Sequence, residues 1–166
     1  VVNEDGNDVS SDVVGDLWVS GDSACIGYWN RHEATKQALR GKWFVTGDKY
    51  RVDSEGYYWY AGRADDMFKV HGQWVSPSQV ESVLLEHEGV REVAVVAATN
   101  DRGLSCGLAF VVPVGSANKA LTAALLKHAA GSLSRYLVPE TIKFVDELPK
   151  TPTGKIQRYL LRDQME

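Results

Sequence analysis

Near the end of the chain, Thr151-Pro152-Thr153-Gly154-Lys155 combines the residue types needed to set one cation against two anions. Proline stiffens such a loop, the hydroxyls make it polar, and glycine lets a ligand approach the backbone. The lysine is presented just before a helix-like stretch. An ammonium placed in this way can stabilise developing charge in phosphoryl-type chemistry. Taken alone, the same five residues describe many surface turns. No Walker-type phosphate loop, GxSxG, HExxH or GxGxxG motif assigns a different chemistry. A second concentration of polar groups lies at Tyr60–Gln73. It holds the pair Gly62-Arg63, the adjacent carboxylates Asp65 and Asp66, and a short apolar hairpin pattern turning at His71-Gly72. Texture changes across it, from a Gly-, Trp- and Tyr-rich segment to alternating helix and strand patterns. It reads as a joint between two bodies, with an ordinary polar loop as the alternative.

Positioning these groups falls to the elements on either side. Before the joint, Gly15–Gly21 is a short apolar strand bounded by glycines. Asn30 is placed to cap a helix from Arg31 to about Leu39, with Gly41 as its stop. Trp43–Thr46 is a strand running into Gly47-Asp48. Lys49–Val52 and Tyr57–Tyr60 pair around Asp53-Ser54-Glu55-Gly56. After the joint, Met67–Val70 and Gln73–Val75 form a hairpin. Ser76-Pro77-Ser78-Gln79 starts a helix, with Ser76 as N-cap, Pro77 at the first position and Gln79 completing a capping box. Val80, Val83 and Leu84 give that helix a core stripe. Val90–Ala98 and Leu108–Val114 are partner strands. Leu121, Leu125, Leu126 and Leu133 mark an amphipathic helix, Ile142–Val145 is a third strand, and Ile156–Gln164 is a terminal helix. The order predicts an α+β fold: a small sheet packed with helices, preceded by a mostly β piece.

Composition bounds the function. A hydrophobic content of 44% with 24% charged residues is that of a globular protein rather than a disordered one. A net charge of −4, with no dense basic block, argues against a nucleic-acid surface. The longest wholly apolar run, Val93–Ala98, is too short to cross a bilayer, and no signal peptide is visible. Cys25 and Cys106 lack metal or redox spacing and read as reduced thiols of a cytoplasmic protein. His32, His71, His87 and His128 fall at no metal-ligand spacing, so no metal site is expected. The chain opens at Val1 without a methionine and is expected to be part of something longer.

Three stretches taken together are more specific than any one. Trp43-Phe44-Val45-Thr46-Gly47-Asp48, Gly62–Gly72 and Pro149–Arg158 resemble, in order and spacing, the C-terminal portion of the adenylate-forming superfamily. That superfamily holds acyl- and aryl-CoA synthetases, peptide-synthetase adenylation domains and luciferases. Gly15–Asn30 is similar to the stretch leading into it, so the resemblance covers essentially the whole chain. The run Lys69–Pro77 looks most like benzoate-CoA-ligase-type members.

The resemblance implies roles residue by residue. Asp48 would accept hydrogen bonds from both ribose hydroxyls of ATP, a task for a two-oxygen acceptor; otherwise it is a Gly-Asp turn residue. Arg63 would also reach the ribose, or else be a solvated or ion-paired arginine. Asp65 would be the hinge about which a C-terminal lid rotates between two half-reactions, or else an exposed loop carboxylate, which is how Asp66 reads. Gly72 would line the pantetheine path, and it also suits a hairpin position at positive φ. Lys155 would bridge the substrate carboxylate and the α-phosphate. Lys69, Lys150, Gln157 and Arg158 read as solvated or loop neighbours.

The sequence also departs from the family's pattern. In Arg135-Tyr136-Leu137-Val138-Pro139-Glu140, Leu137 replaces the usual lysine, and neither Val138 nor Glu140 offers a cation. CoA placement must therefore rest elsewhere or be weak.

What is implied is residues 1–64 as the C-terminal end of an AMP-binding N-terminal domain, and residues 65–166 as the mobile lid. The parent would adenylate a carboxylic acid, aromatic and benzoate-like, with ATP and Mg2+, and pass the acyl group to CoA. The rest of the N-terminal domain would be its partner, with no nucleic acid and no membrane involved, and the short chain alone would be inactive. A domain loading a carrier protein and a non-enzymatic interaction module are the alternatives. An acceptor assay with CoA and pantetheine separates the first of these.

Overall fold

The computed structural model describes residues 1–163, and the chain falls into two compact units, Val1–Asp65 and Asp66–Glu166. Gln164, the expected end of the last helix, lies outside the described residues.

The first unit is a sheet built around one long strand. Its elements are β1 (Gly15–Val19), α1 (His32–Ala38), β2 (Leu39–Arg40), β3 (Trp43–Val52) and β4 (Tyr58–Arg63). β3 pairs antiparallel with each of the other three. The expected break at Gly47-Asp48 does not occur. Gly47 takes a φ of 75° and stays inside β3, so the strand kinks and continues. The Asp53–Gly56 turn forms as expected. Asp53 accepts from the Trp59 indole N–H at 2.6 Å and from the backbone N–H of Tyr57 at 2.9 Å and Glu55 at 3.0 Å. These donors, Trp59 first, hold its carboxyl below the usual range. Asn30 does not cap α1. It sits at a φ of 53°, and the N-cap is Arg31, which makes no side-chain cap bond. Thr35 organises this end instead, its Oγ1 accepting from the Tyr28 N–H at 2.9 Å. Tyr57, Tyr58, Trp59 and Tyr60 are all exposed, and Val2 is the sole buried hydrophobic among the described residues of this unit.

The second unit begins with a hairpin, β5 (Phe68–Val70) and β6 (Gln73–Val75). His71 at φ 49° and Gly72 at φ 79° make the two-residue turn, as their types demand. Next come α2 (Pro77–Leu85), β7 (Val90–Thr99), β8 (Ser105–Pro113), α3 (Lys119–Ser132), a 3-10 turn (Arg135–Leu137), β9 (Thr141–Phe144) and α4 (Arg158–Asp163). The sheet order is β7-β8-β9, antiparallel then parallel, with α3 supplying the crossover that a parallel pair needs. The capping box expected on α2 is absent. Ser76 is the N-cap and Pro77 the first residue, but the Ser76 hydroxyl bonds that of Ser78 at 2.9 Å.

Strand alternation divides this core in two. Val93, Val95, Ala109 and Val111 face Val80 and Leu84 of α2, Leu125 and Ala129 of α3, and the hairpin's Phe68 and Val75. Ala94, Val96, Leu108, Phe110 and Val112 pack on the other face against Leu148 and Leu161 of α4. Each fully enclosed Val, Leu or Phe contributes about 1.5–3 kcal/mol, so the second unit carries most of the burial. Leu137, where the family pattern has a lysine, belongs to the first of these clusters, which is why an apolar residue stands there.

Candidate active site

In the first unit the β3–β4 register sets Asp48 opposite Arg63. Arg63 Nη1 donates to Asp48 Oδ1 at 3.0 Å and to the Thr46 carbonyl at 3.2 Å, and Nε lies 3.5 Å from Asp65 Oδ1. Among the described residues nothing donates to Asp48 Oδ2. Burial lowers the Arg63 pKa, but the bond to Asp48 and the charges of Asp65 and Asp48 outweigh it and hold the guanidinium more firmly protonated. Gly47 is required here. A Cβ on it would stand 2.9 Å from Arg63 Nη2. The Asp48 N–H donates to Thr46 Oγ1 at 3.1 Å, and that hydroxyl donates to the Leu17 carbonyl at 2.9 Å, tying the segment to β1. Next along β3, Lys49 is buried and paired with Asp16 at 2.9 Å. The result is a carboxylate with one oxygen committed and one available, which can accept from a diol or a second donor.

Asp65 is the last residue of the first unit, with a side chain 74% exposed. Gly72 lies in the second unit, and a Cβ there would meet open space. Its glycine requirement within this chain is therefore the positive φ alone. The turn borders a groove that also exposes Arg135 and Glu140, with Glu140 accepting from Asn100 Nδ2 at 2.9 Å.

Lys155 is exposed on the closing side of a tight, hydrogen-bonded turn. A bridge joins Lys150 to Ile156. The Thr151 N–H donates to the Lys155 carbonyl at 2.8 Å, and the Lys155 N–H donates back to Thr151 Oγ1 at 3.1 Å. Gly154 takes the φ of 83° that closes the turn. No carboxylate among the described residues pairs with the Lys155 ammonium. Asp48, Arg63 and Asp65 are thus gathered in one unit, while Gly72 and Lys155 belong to the other, on separate turns.

Of the residues read as solvated or loop neighbours, Lys69 and Lys150 are exposed but partnered, and Arg158 is half-buried. Lys150 pairs with Glu92 at 2.7 Å, and Lys69 lies over the Trp74 ring at 4.6 Å. Arg158 grips Glu81, with Nη2 at 2.9 Å and 2.8 Å from its two oxygens, and reaches Asp66 Oδ2 at 3.3 Å. Asp66, expected to be an exposed loop carboxylate, also accepts from Arg162 at 2.9 Å. One signal was readable in the sequence. Glu81 lies between Val80 and Leu84 on the apolar stripe of α2, and a carboxylate there must have a partner.

Residues 79–155 match the AMP-binding enzyme C-terminal domain. Over those residues the chain is similar to the AMP-binding enzymes. Benzoate–CoA ligase of Thauera aromatica is 47% identical over 165 residues, covering 98% of this chain and 31% of that protein. The 4-hydroxybenzoate–CoA/benzoate–CoA ligase of Rhodopseudomonas palustris is 42% identical over 166 residues, covering 98% and 31%. Among solved structures, the anthranilate CoA ligase AuaEII in complex with anthranoyl-AMP matches with a TM-score of 0.91 and 41% identity, over 99% of this chain and 32% of that one. The chain thus spans about a third of the length of the relatives it matches. The α+β architecture of the second unit is that of an AMP-binding C-terminal domain. Its family match ends on Lys155 and leaves out Asp48, Arg63, Asp65 and Gly72, which only the longer pairwise likenesses cover.

Among the described residues no three His, Cys, Asp or Glu side chains converge to hold a metal, and no helix is long and apolar enough to cross a membrane.

Proposed function

We propose that this chain is the C-terminal third of an ATP-dependent acid–CoA ligase acting on an aromatic carboxylic acid of the benzoate type. The likeness to benzoate–CoA ligase at 47% identity carries the reading. The half-committed carboxylate of Asp48, held by Arg63, agrees with it. Residues 1–64 are the end of the AMP-binding N-terminal domain, and residues 65–166 are the lid. The thin core and exposed aromatics of the first unit suit a piece of a larger domain.

In the first half-reaction the acid's carboxylate oxygen attacks the α-phosphorus of ATP, forming the acyl-adenylate and releasing pyrophosphate. Asp48 accepts hydrogen bonds from the ribose hydroxyls, with Oδ2 available and Oδ1 shared with Arg63. Arg63 holds that carboxylate in place through its 3.0 Å bond to Oδ1. Lys155 sits between the two reacting anions and offsets the charge gathered there. In the second half-reaction the lid turns about Asp65, and Gly72 gives room for the pantetheine arm. The thiol then displaces AMP from the acyl group. Mg2+ travels with the ATP phosphates, and the acyl pocket and phosphate loop lie in the rest of the N-terminal domain. A cytoplasmic setting follows from ATP and CoA as substrates and from two unpaired thiols.

The test is the intact enzyme with benzoate, ATP and Mg2+, followed by pyrophosphate release and, after CoA is added, benzoyl thioester. Pyrophosphate release without any thioester would point to another acyl acceptor. Neither product with any aryl acid would overturn the reading.

A further inference from the structure

The loop that carries Lys155 is strung between two ionic anchors, both fastened to β7. On its leading side Lys150 pairs with Glu92 of β7 at 2.7 Å. On its trailing side Arg158, three residues after Lys155, holds Glu81, whose Oε1 also accepts from the buried Val95 N–H of β7 at 2.7 Å. Three residues span at most about 11 Å of extended chain, so the trailing anchor bounds where the Lys155 backbone can stand. The anchor is substantial. Glu81 is 8% exposed, and the side chains of Arg158 and Glu81 are 20% and 11% exposed. A charge pair so desolvated keeps its geometry, because freeing either partner leaves an uncompensated charge.

The same arginine also holds the start of this unit. Its Nη1 reaches Asp66 Oδ2 at 3.3 Å, and Arg162, one turn along α4, holds Asp66 Oδ1 at 2.9 Å. Asp66 is bonded in sequence to Asp65, where the two units divide. One side chain therefore ties the lysine loop, the buried carboxylate of α2 and the first residue past the boundary.

We propose that Arg158 is a positioning residue for Lys155, and that Asp66 completes the clamp so that the lysine loop and the boundary segment move as one piece. This rests on the role given to Lys155 above. Arg158 touches no substrate. It fixes the frame from which the Lys155 ammonium is presented, and a lysine in its place cannot grip both Glu81 and Asp66, since it lacks the planar fork.

The experiment is a double-mutant cycle in the intact enzyme, read by pyrophosphate release and by thioester formation from pre-formed adenylate. R158K should lower kcat for adenylate formation about 10-fold, a loss of position rather than of a reacting group. KM for ATP should hold within about twofold, because Asp48 and Arg63 are untouched. In a Lys155→Ala background R158K should cost less than about twofold, because its effect passes through Lys155. Asp66→Asn, which leaves the Arg158–Glu81 pair in place and so protects the fold, should give a smaller loss of the same kind, again absent once Lys155 is gone. Equal losses in both backgrounds, for either variant, would show a general structural role and overturn the positioning assignment alone. If Lys155→Ala itself left adenylate formation intact, the role of Lys155 and this inference would fall together.

Discussion

Arg63 Nη1 stands 3.0 Å from Asp48 Oδ1, across a register pair of β3 and β4, and the missing side chain of Gly47 leaves room for it. The carboxylate is thus aimed before any ligand arrives. Asp48→Ala should raise KM for ATP about 10–100-fold, the equivalent of one or two charge-assisted hydrogen bonds at about 1.5–3 kcal/mol each. Arg63→Ala should do the same to a lesser degree, since Asp48 remains. Gly47→Ala should resemble Arg63→Ala in KM, because the new methyl group displaces the guanidinium and the backbone is strained as well. Steady-state kinetics in ATP checks the series, and an unchanged KM for all three would remove the pair from the nucleotide site.

Lys155→Ala in the intact enzyme should slow adenylate formation by about 10²–10³-fold, the range for losing one stabiliser of transition-state charge. Thioester formation from supplied acyl-adenylate should be nearly untouched. Equal losses in both half-reactions would make Lys155 a structural residue of its loop.

The elements were mostly legible, because short-range chemistry decides them. His71-Gly72 announces its turn, and the unbroken apolar runs Val93–Val96 and Leu108–Val112 announce strands buried on both faces. Where reading failed, the deciding contact was non-local or competed with an equally good local one. Gly47 looked like a strand end, but pairing on both sides keeps β3 continuous through it. Ser76 had the right type for a capping box, yet Ser78 captured its hydroxyl. Arg158 meets Glu81 and Asp66 at separations of 77 and 92 residues, which no local pattern encodes. The roles proposed for Asp48, Arg63, Asp65, Gly72 and Lys155 rest on the family likeness, not on the residues by themselves.

The two thiols should behave differently. Burial, then the charge of Glu140 and a hydrogen bond with it, push the Cys106 thiol pKa up, so less thiolate is present at a given pH. Cys25 is exposed. Iodoacetamide at pH 8 should modify one cysteine in the folded chain, Cys25, and both after denaturation. Peptide mapping that finds Cys106 modified first would show that the groove beside Glu140 is open and basic.

ATP should bind weakly to this chain alone, because Asp48 and Arg63 supply only one part of a site. A few charge-assisted hydrogen bonds at about 1.5–3 kcal/mol each must offset the cost of immobilising the nucleotide. Calorimetric titration should give a Kd well above the micromolar range and no pyrophosphate release. Micromolar affinity would mean that these residues form a self-sufficient site.

Asp65 tests the boundary itself. It closes the first unit, and Asp66, its neighbour, is fastened by Arg158 and Arg162 into the second. Any rotation between the units must therefore be absorbed at or just before Asp65. A proline there fixes φ near about −65° and cannot follow such a change. Asp65→Pro in the intact enzyme should trap one arrangement. Adenylate formation should persist, since the core around Val80 and Leu84 does not involve this residue, while transfer to CoA collapses. The pattern is the reverse of that for Lys155→Ala. Because the substitution also removes a carboxylate that faces Arg63 Nε at 3.5 Å, Asp65→Ala is the control and should be much milder in the transfer step. The two variants are compared by pyrophosphate release and by thioester formation from pre-formed adenylate. If proline and alanine depress the two activities in the same ratio, backbone freedom at Asp65 has no part in the cycle, and the rotation is absorbed elsewhere.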